Sequence, residues 1–119
     1  MKLPKPTDDD RALVATLVPT GDKIQVKPMF GNLGAFVDGN MFMGLFGSDI
    51  GLRLPGADAA ALRAIDGAGS FGPPERPMAG HVAIPAAWRA APDEARPWIV
   101  NSLNYAQSLP PKARSRKKR

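Results

Sequence analysis

The sequence contains no cysteine. That removes disulfide frameworks, thiolate nucleophiles and Cys-ligated zinc. The lack fits a reducing cytoplasm, which is the expected location. Histidine occurs once, as His81. A lone histidine is usually structural or solvent-exposed, and one imidazole makes neither a metal site nor an acid–base pair. Ser48, Ser70, Ser102 and Ser108 all lack the G-x-S-x-G surround of an exposed nucleophile. No apolar run approaches the ~20 residues that span a bilayer, so no membrane partner is expected. The opening MKLPKPTDDD has no apolar segment of the kind a secretory leader needs.

What is present is ordinary globular composition: 44% hydrophobic and 23% charged residues in 119, enough for one domain with a modest core. The net charge of +5 is unevenly placed. Lys112, Arg114, Arg116, Lys117, Lys118 and Arg119 crowd the last eight residues, KARSRKKR. Without those six, ten basic side chains face eleven acidic ones, so the body is near −1. We therefore expect a single domain over residues 1–111 and a disordered basic tail over 112–119, because a dense run of like charge builds no core.

Glycine and proline punctuate the chain. PTDDDRALVATLVP predicts a short helix, with Leu13, Val14, Leu17 and Val18 at helical spacing and Asp8, Asp9 and Asp10 at its positive end. The acids read as caps; adjacent helical residues point in different directions and make a poor metal cage. DKIQVKPMF alternates as a half-buried strand, with Pro28 suited to an edge or strand end. Asp38-Gly39 supplies the two positive-φ residues of a type I′ hairpin turn, and GSD marks a second turn before the alternating Ile50, Leu52 and Leu54. The glycines of MFGNLGAFVDGNMFMGLFGSDIGLRL therefore belong to a β-meander. A phosphate-cradling loop would run from strand into helix, and Gly31-x-x-Gly34 has no helix after it.

PGADAAALRAIDG predicts a second helix, capped by Gly56 or Asp58 and ended by Gly67 at C′. GAGSFGPPERP reads as a loop, and His81 to Ile84 as a short strand. A last helix is expected over about Asp93 to Leu109, with Ile99, Leu103 and Ala106 inward and Trp98 and Val100 widening the stripe. Pro97 fits only its first turn, so the regular helix begins near there. The order predicts an α+β fold: a mostly antiparallel sheet with N-terminal, middle and C-terminal helices on one face.

No residues emerge as catalytic, metal-binding or cofactor-binding. Asp93 and Glu94 suit a helix start. Arg53 sits on a strand among apolar residues and reads either as a solvated strand-face residue or as an anion contact, alone or with His81. Met29, Met41 and Met43 with Phe30, Phe36, Phe42 and Phe46 make a soft aromatic sheet whose outward members would form a partner patch. Met29, Phe30 and Arg53 are the candidates for a protein-partner surface. The six tail cations are the candidates for sequence-independent nucleic-acid contact; the tail lacks aromatic residues for stacking on single strands.

Taken together, KPMFGNLGAFVDGNMFMGLFGSDIGLRLP, PMAGHVAIPAAW and ARPWIVNSLNYAQSLPPK resemble the N-terminal domain of the TfoX/Sxy family of competence regulators. The shared features are Met29-Phe30-Gly31, the Asp38-Gly39 hairpin, Arg53-Leu54-Pro55, Trp88, Trp98 and the closing leucine-proline-proline-lysine, over about residues 10 to 112. The resemblance implies a compact module of YjbR-like architecture, no catalytic site, and a role in regulating DNA-uptake genes alongside another transcription factor. Two features depart from the family pattern. Asn32 replaces the second glycine that often follows Met-Phe-Gly, and the sequence runs into a basic tail where full-length regulators carry a C-terminal domain. A stand-alone N-terminal domain is the expectation.

Overall fold

A computed structural model describes residues 5–21, 23–29, 32–72, 78 and 80–110. The basic tail, Phe30 and Gly31 lie outside the described residues. Helix α1 spans Asp8–Leu17. Four strands follow: β1 Ile24–Met29, β2 Asn32–Val37, β3 Asn40–Phe46 and β4 Asp49–Arg53. Helix α2 is Gly56–Arg63, β5 is Gly69–Ser70, β6 is His81–Ala83, and α3 is Arg96–Ser108. The strands form one six-stranded sheet in the order β1-β2-β3-β4-β6-β5, with every pairing antiparallel. The fold is α+β, and β1 to β4 form the expected meander.

The turns follow local chemistry. Asp38 and Gly39 hold φ of 51° and 81°, the double positive-φ geometry of a type I′ turn. Gly47 opens the next turn at φ 62°. Asn32, which stands where the family often has glycine, is buried, and its Oδ1 accepts the Gly47 N–H at 2.7 Å. The side chain thus ties one end of β2 to the β3–β4 turn. A register shift between Ala35 and Phe36 makes Phe42 the extra residue of a bulge in β3.

Several boundaries differ from the sequence expectation. Pro55 is the N-cap of α2, so Gly56 and Asp58 lie inside its first turn. The helix ends at Arg63, short of Gly67, which serves a later turn at φ 91°. Gly69–Ser70, expected as loop, pairs with Ala83 and Val82 as an edge strand. A 3₁₀ turn over Pro92–Glu94 precedes α3, and Pro97 does occupy its first turn. Val100 faces solvent at 49% exposure instead of widening the apolar stripe. Ser102 takes the inward place beside Ile99 and Ala106. Its hydroxyl is shared between the carbonyls of Phe42 and, at 2.7 Å, Arg53, where the β3–β4 ladder opens. Helical periodicity marks position 102 as inward, but an apolar stripe search passes over a serine.

Register places Ala35, Met43, Leu52 and Val82 in one row and Leu33, Leu45 and Ile50 in another, all on one face. These residues share a core with Val14 and Leu17 of α1, Ala59 and Leu62 of α2, and Ile99 and Ala106 of α3. All three helices therefore cover the same face of the sheet.

Helix α1 is fixed at its start. The Thr7 hydroxyl accepts the Asp10 N–H at 3.1 Å, and Asp10 Oδ2 accepts the Thr7 N–H at 2.8 Å, a complete capping box. Asp10 is buried and also accepts from Arg89, which donates again to the Ser48 carbonyl at 2.9 Å. One guanidinium thus joins α1, the β3–β4 turn and the 3₁₀ turn at Ala86–Arg89. Burial works to raise the Asp10 pKa, but the Thr7 bonds and the Arg89 guanidinium outweigh it and hold the carboxyl below 3.8. A depressed folded pKa contributes stability above the unfolded value and loses it as pH falls through the folded one. Asp10→Asn should cost about 1–3 kcal/mol near neutral pH. Urea titrations from neutral pH to pH ~2 should show the gap to wild type closing below pH ~4. A gap constant across that range would contradict this role.

Candidate partner surface

The sheet face opposite the helices is built on missing side chains. Gly34 pairs with Gly44, Gly44 with Gly51, and Gly51 with Ala83, so small residues line up across four strands. Phe71 fills the space they leave. A Cβ on Gly51 would collide with the Cγ end of its ring, and a Cβ on Gly44 would lie 3.1 Å from Cζ at the other end. The ring thus spans β3 and β4. Phe46 meets it edge-on at 6.3 Å, and His81 stacks on it at 6.1 Å. The Phe71 carbonyl accepts the Met78 N–H at 2.8 Å. At the next position along the row, a Cβ on Gly34 would crowd Phe36 at 2.9 Å and the Met41 sulfur at 3.1 Å. Lys27 Nζ sits 4.7 Å from the centre of the Phe36 ring.

Phe36 and Phe46 are half-buried here, whereas Phe42 and Met43 are fully enclosed. The methionine–phenylalanine set therefore divides between a closed core and a thin second layer. His81 is buried, 8% exposed, and stacked on Phe71.

Arg53 pairs directly across from His81 at the end of β4, half-buried, with its guanidinium 5.9 Å from the centre of the Tyr105 ring. Met29 closes β1 opposite Asn32, at the end of the sheet that also holds Phe46 and Asp49. The register places Arg53 at the other end. With ~3.3 Å per residue along a strand and ~4.8 Å between strands, Met29 and Arg53 are well over ~10 Å apart. The structure does not bring them into one patch.

The outer edge of β1 is poorly equipped for strand addition. Pro28 has no N–H, so it must belong to the outward-facing set, together with Ile24 and Val26. The Ile24 N–H already bonds the Gly21 carbonyl at 3.2 Å. Only Val26 keeps an outward donor, and Lys23 and Lys27 flank it. Beside this edge lies an open groove of about 420 Å³ between α1 and β1, with Val14, Val18, Ile24, Val26 and Leu33 on its walls. Among the described residues, Arg11 is its one charged lining residue and Thr20 its one hydroxyl. Such a lining suits apolar contact. Among the described residues, no group of three or more His, Cys, Asp or Glu side chains could hold a metal, and no helix is long and apolar enough to cross a membrane.

The glycine row makes a double-mutant prediction. Gly51→Ala should cost about 1–3 kcal/mol by displacing Phe71. In a Phe71→Ala background the same change should cost less than ~0.5 kcal/mol, since alanine is otherwise the better strand residue. Equal costs in both backgrounds, measured by denaturant unfolding, would show that Phe71 does not rest on Gly51.

Comparison with known proteins agrees with this architecture. No curated protein matches the chain closely enough to count as a relative. The family model for the TfoX N-terminal domain matches residues 16–106, which takes in the end of α1, the whole sheet, α2 and most of α3. By its sequence across the greater part of its length, the chain belongs to the TfoX N-terminal domain family.

Proposed function

We propose that the chain is a non-enzymatic regulatory module that acts by contacting a protein partner, in the cytoplasm and in the control of transcription or competence. Family membership carries this reading. The described surface supports it: the groove beside β1 is mostly aliphatic, and the single histidine is buried. The blunted β1 edge favours a partner that docks through side chains over one that adds a strand. Met29, the last residue of β1, and Phe30, which lies outside the described residues, form the principal contact in this proposal. Arg53, at the far end of the sheet, is a second and separate one.

Capture from the source cell, followed by identification of the retained protein, tests the reading. Wild type should retain a specific transcriptional regulator. Met29→Ala/Phe30→Ala should lose it about tenfold or more, with thermal stability unchanged. Arg53→Ala should weaken retention by a smaller factor. The proposal fails if no specific partner is retained, or if retention ignores both sets of substitutions.

A further inference from the structure

Helix α1 is attached differently from α3. Ser102 bonds α3 to the sheet along its length, and Asn40 Nδ2 donates to the Pro110 carbonyl just past its end. In α1 only Asp10, Val14 and Leu17 of ten residues are buried. Asp8 and Arg11 pair with each other along the helix. Among the described residues, Asp10–Arg89 is the only ion pair between α1 and the rest of the chain. Beyond it the helix stands off the edge strand. The open groove lies between Val14, Ala15 and Val18 on one wall and Ile24, Val26 and Leu33 on the other. Val18 is already extended, with ψ 125°, and Pro19, Thr20 and Gly21 lead away from the helix. The family match begins at Thr16, so Asp10 and Val14 precede the matched domain.

We propose that α1 is a lid, latched by Asp10 on Arg89 and hinged at residues 18–21, that opens while the sheet, α2 and α3 stay folded. The catch remains on the body, because Arg89 also donates to the Ser48 carbonyl. Breaking the latch returns both charges to water, and hydration offsets much of their lost attraction, so the contact opens and recloses. A ten-residue helix falls short of the ~12–15 residues that persist alone in water, so the released segment unwinds and gains chain entropy. Elements with few buried apolar side chains are the ones that open locally. The body keeps its own cover: Ala59 and Leu62 of α2 and Ile99 and Ala106 of α3 stay on the sheet's core face. Opening uncovers the apolar surface under Val14 and Leu17 and joins it to the groove beside β1. The lid uses none of Met29, Phe30 and Arg53, so its failure and that of the partner contact are separate.

Native-state hydrogen exchange on the full chain, read by NMR at several sub-denaturing urea concentrations, tests the lid. In wild type the amides of Leu13 to Leu17 should be about tenfold or more less protected than those of β3. Their urea dependence should be less than about half as steep, because opening α1 exposes a fraction of the surface that global unfolding exposes. Gly51→Ala, on the opposite face of the sheet, should lower β3 protection about fivefold or more and leave α1 protection within about twofold, since it destabilises the closed and lid-open forms alike. Asp10→Asn should lower both by the same factor, about fivefold or more, because both openings break the latch. Equal protection and equal urea slopes for α1 and β3 in wild type would overturn the proposal, whatever the variants do. So would a loss of α1 protection in Gly51→Ala that matches the loss in β3, or an Asp10→Asn chain whose α1 protection is unchanged.

Discussion

Phe71 can lie across β3 and β4 because Gly44 and Gly51 carry no Cβ there. Much of the molecule's second face depends on that contact. The ring supplies the surface on which His81 stacks and against which Phe46 turns its edge. Phe71 also follows directly on β5, and its carbonyl accepts the Met78 N–H ahead of β6. Without side chains at positions 34, 44 and 51, the sheet would otherwise present bare backbone on this side. One aromatic from outside the meander closes most of that gap, and Phe36 with Met41 closes the rest.

The two faces are therefore built by different means. The helical side is held by apolar burial around Met43, Leu45, Ile50 and Leu52, with the start of α1 fixed by Asp10 and Arg89 and the middle of α3 by Ser102. Each polar group is inside because its donors and acceptors are satisfied by named partners, which is the condition for burying it. Asn32 and Asn40 do similar work at opposite ends of the sheet, one holding the β3–β4 turn and the other the exit from α3.

Legibility in the sequence followed the range of the physics involved. The Asp38-Gly39 turn, the capping acids of α1 and the Pro97 boundary rest on local dihedral and hydrogen-bond chemistry, and local residues reveal them. The row formed by Gly34, Gly44 and Gly51 was not legible as a row. Each glycine lies mid-strand, and their alignment exists only once three strands are in register. The two-residue β5 is too short to show a period, and its pairing with β6 is set by tertiary contact. Position 102 was missed because an inward serine is recognised by the carbonyls above it, not by its polarity. The Met-Phe-Gly signature at Met29 marks the family, while the spatial separation of Met29 and Arg53 needed the strand register.

Charge is partitioned as cleanly as packing: a near-neutral folded body, a carboxylate-free outer helix and a strongly basic end. These surfaces belong to a chain of the TfoX N-terminal domain family. Those surfaces have their shape only if the glycine row seats Phe71. Proton NMR reads that contact directly. The account predicts nuclear Overhauser effects between the Phe71 ring protons and the Hα protons of Gly44 and Gly51, with the Gly51 Hα resonances shifted by the ring current. Absence of those effects, with random-coil Gly51 Hα shifts in the folded protein, would contradict it.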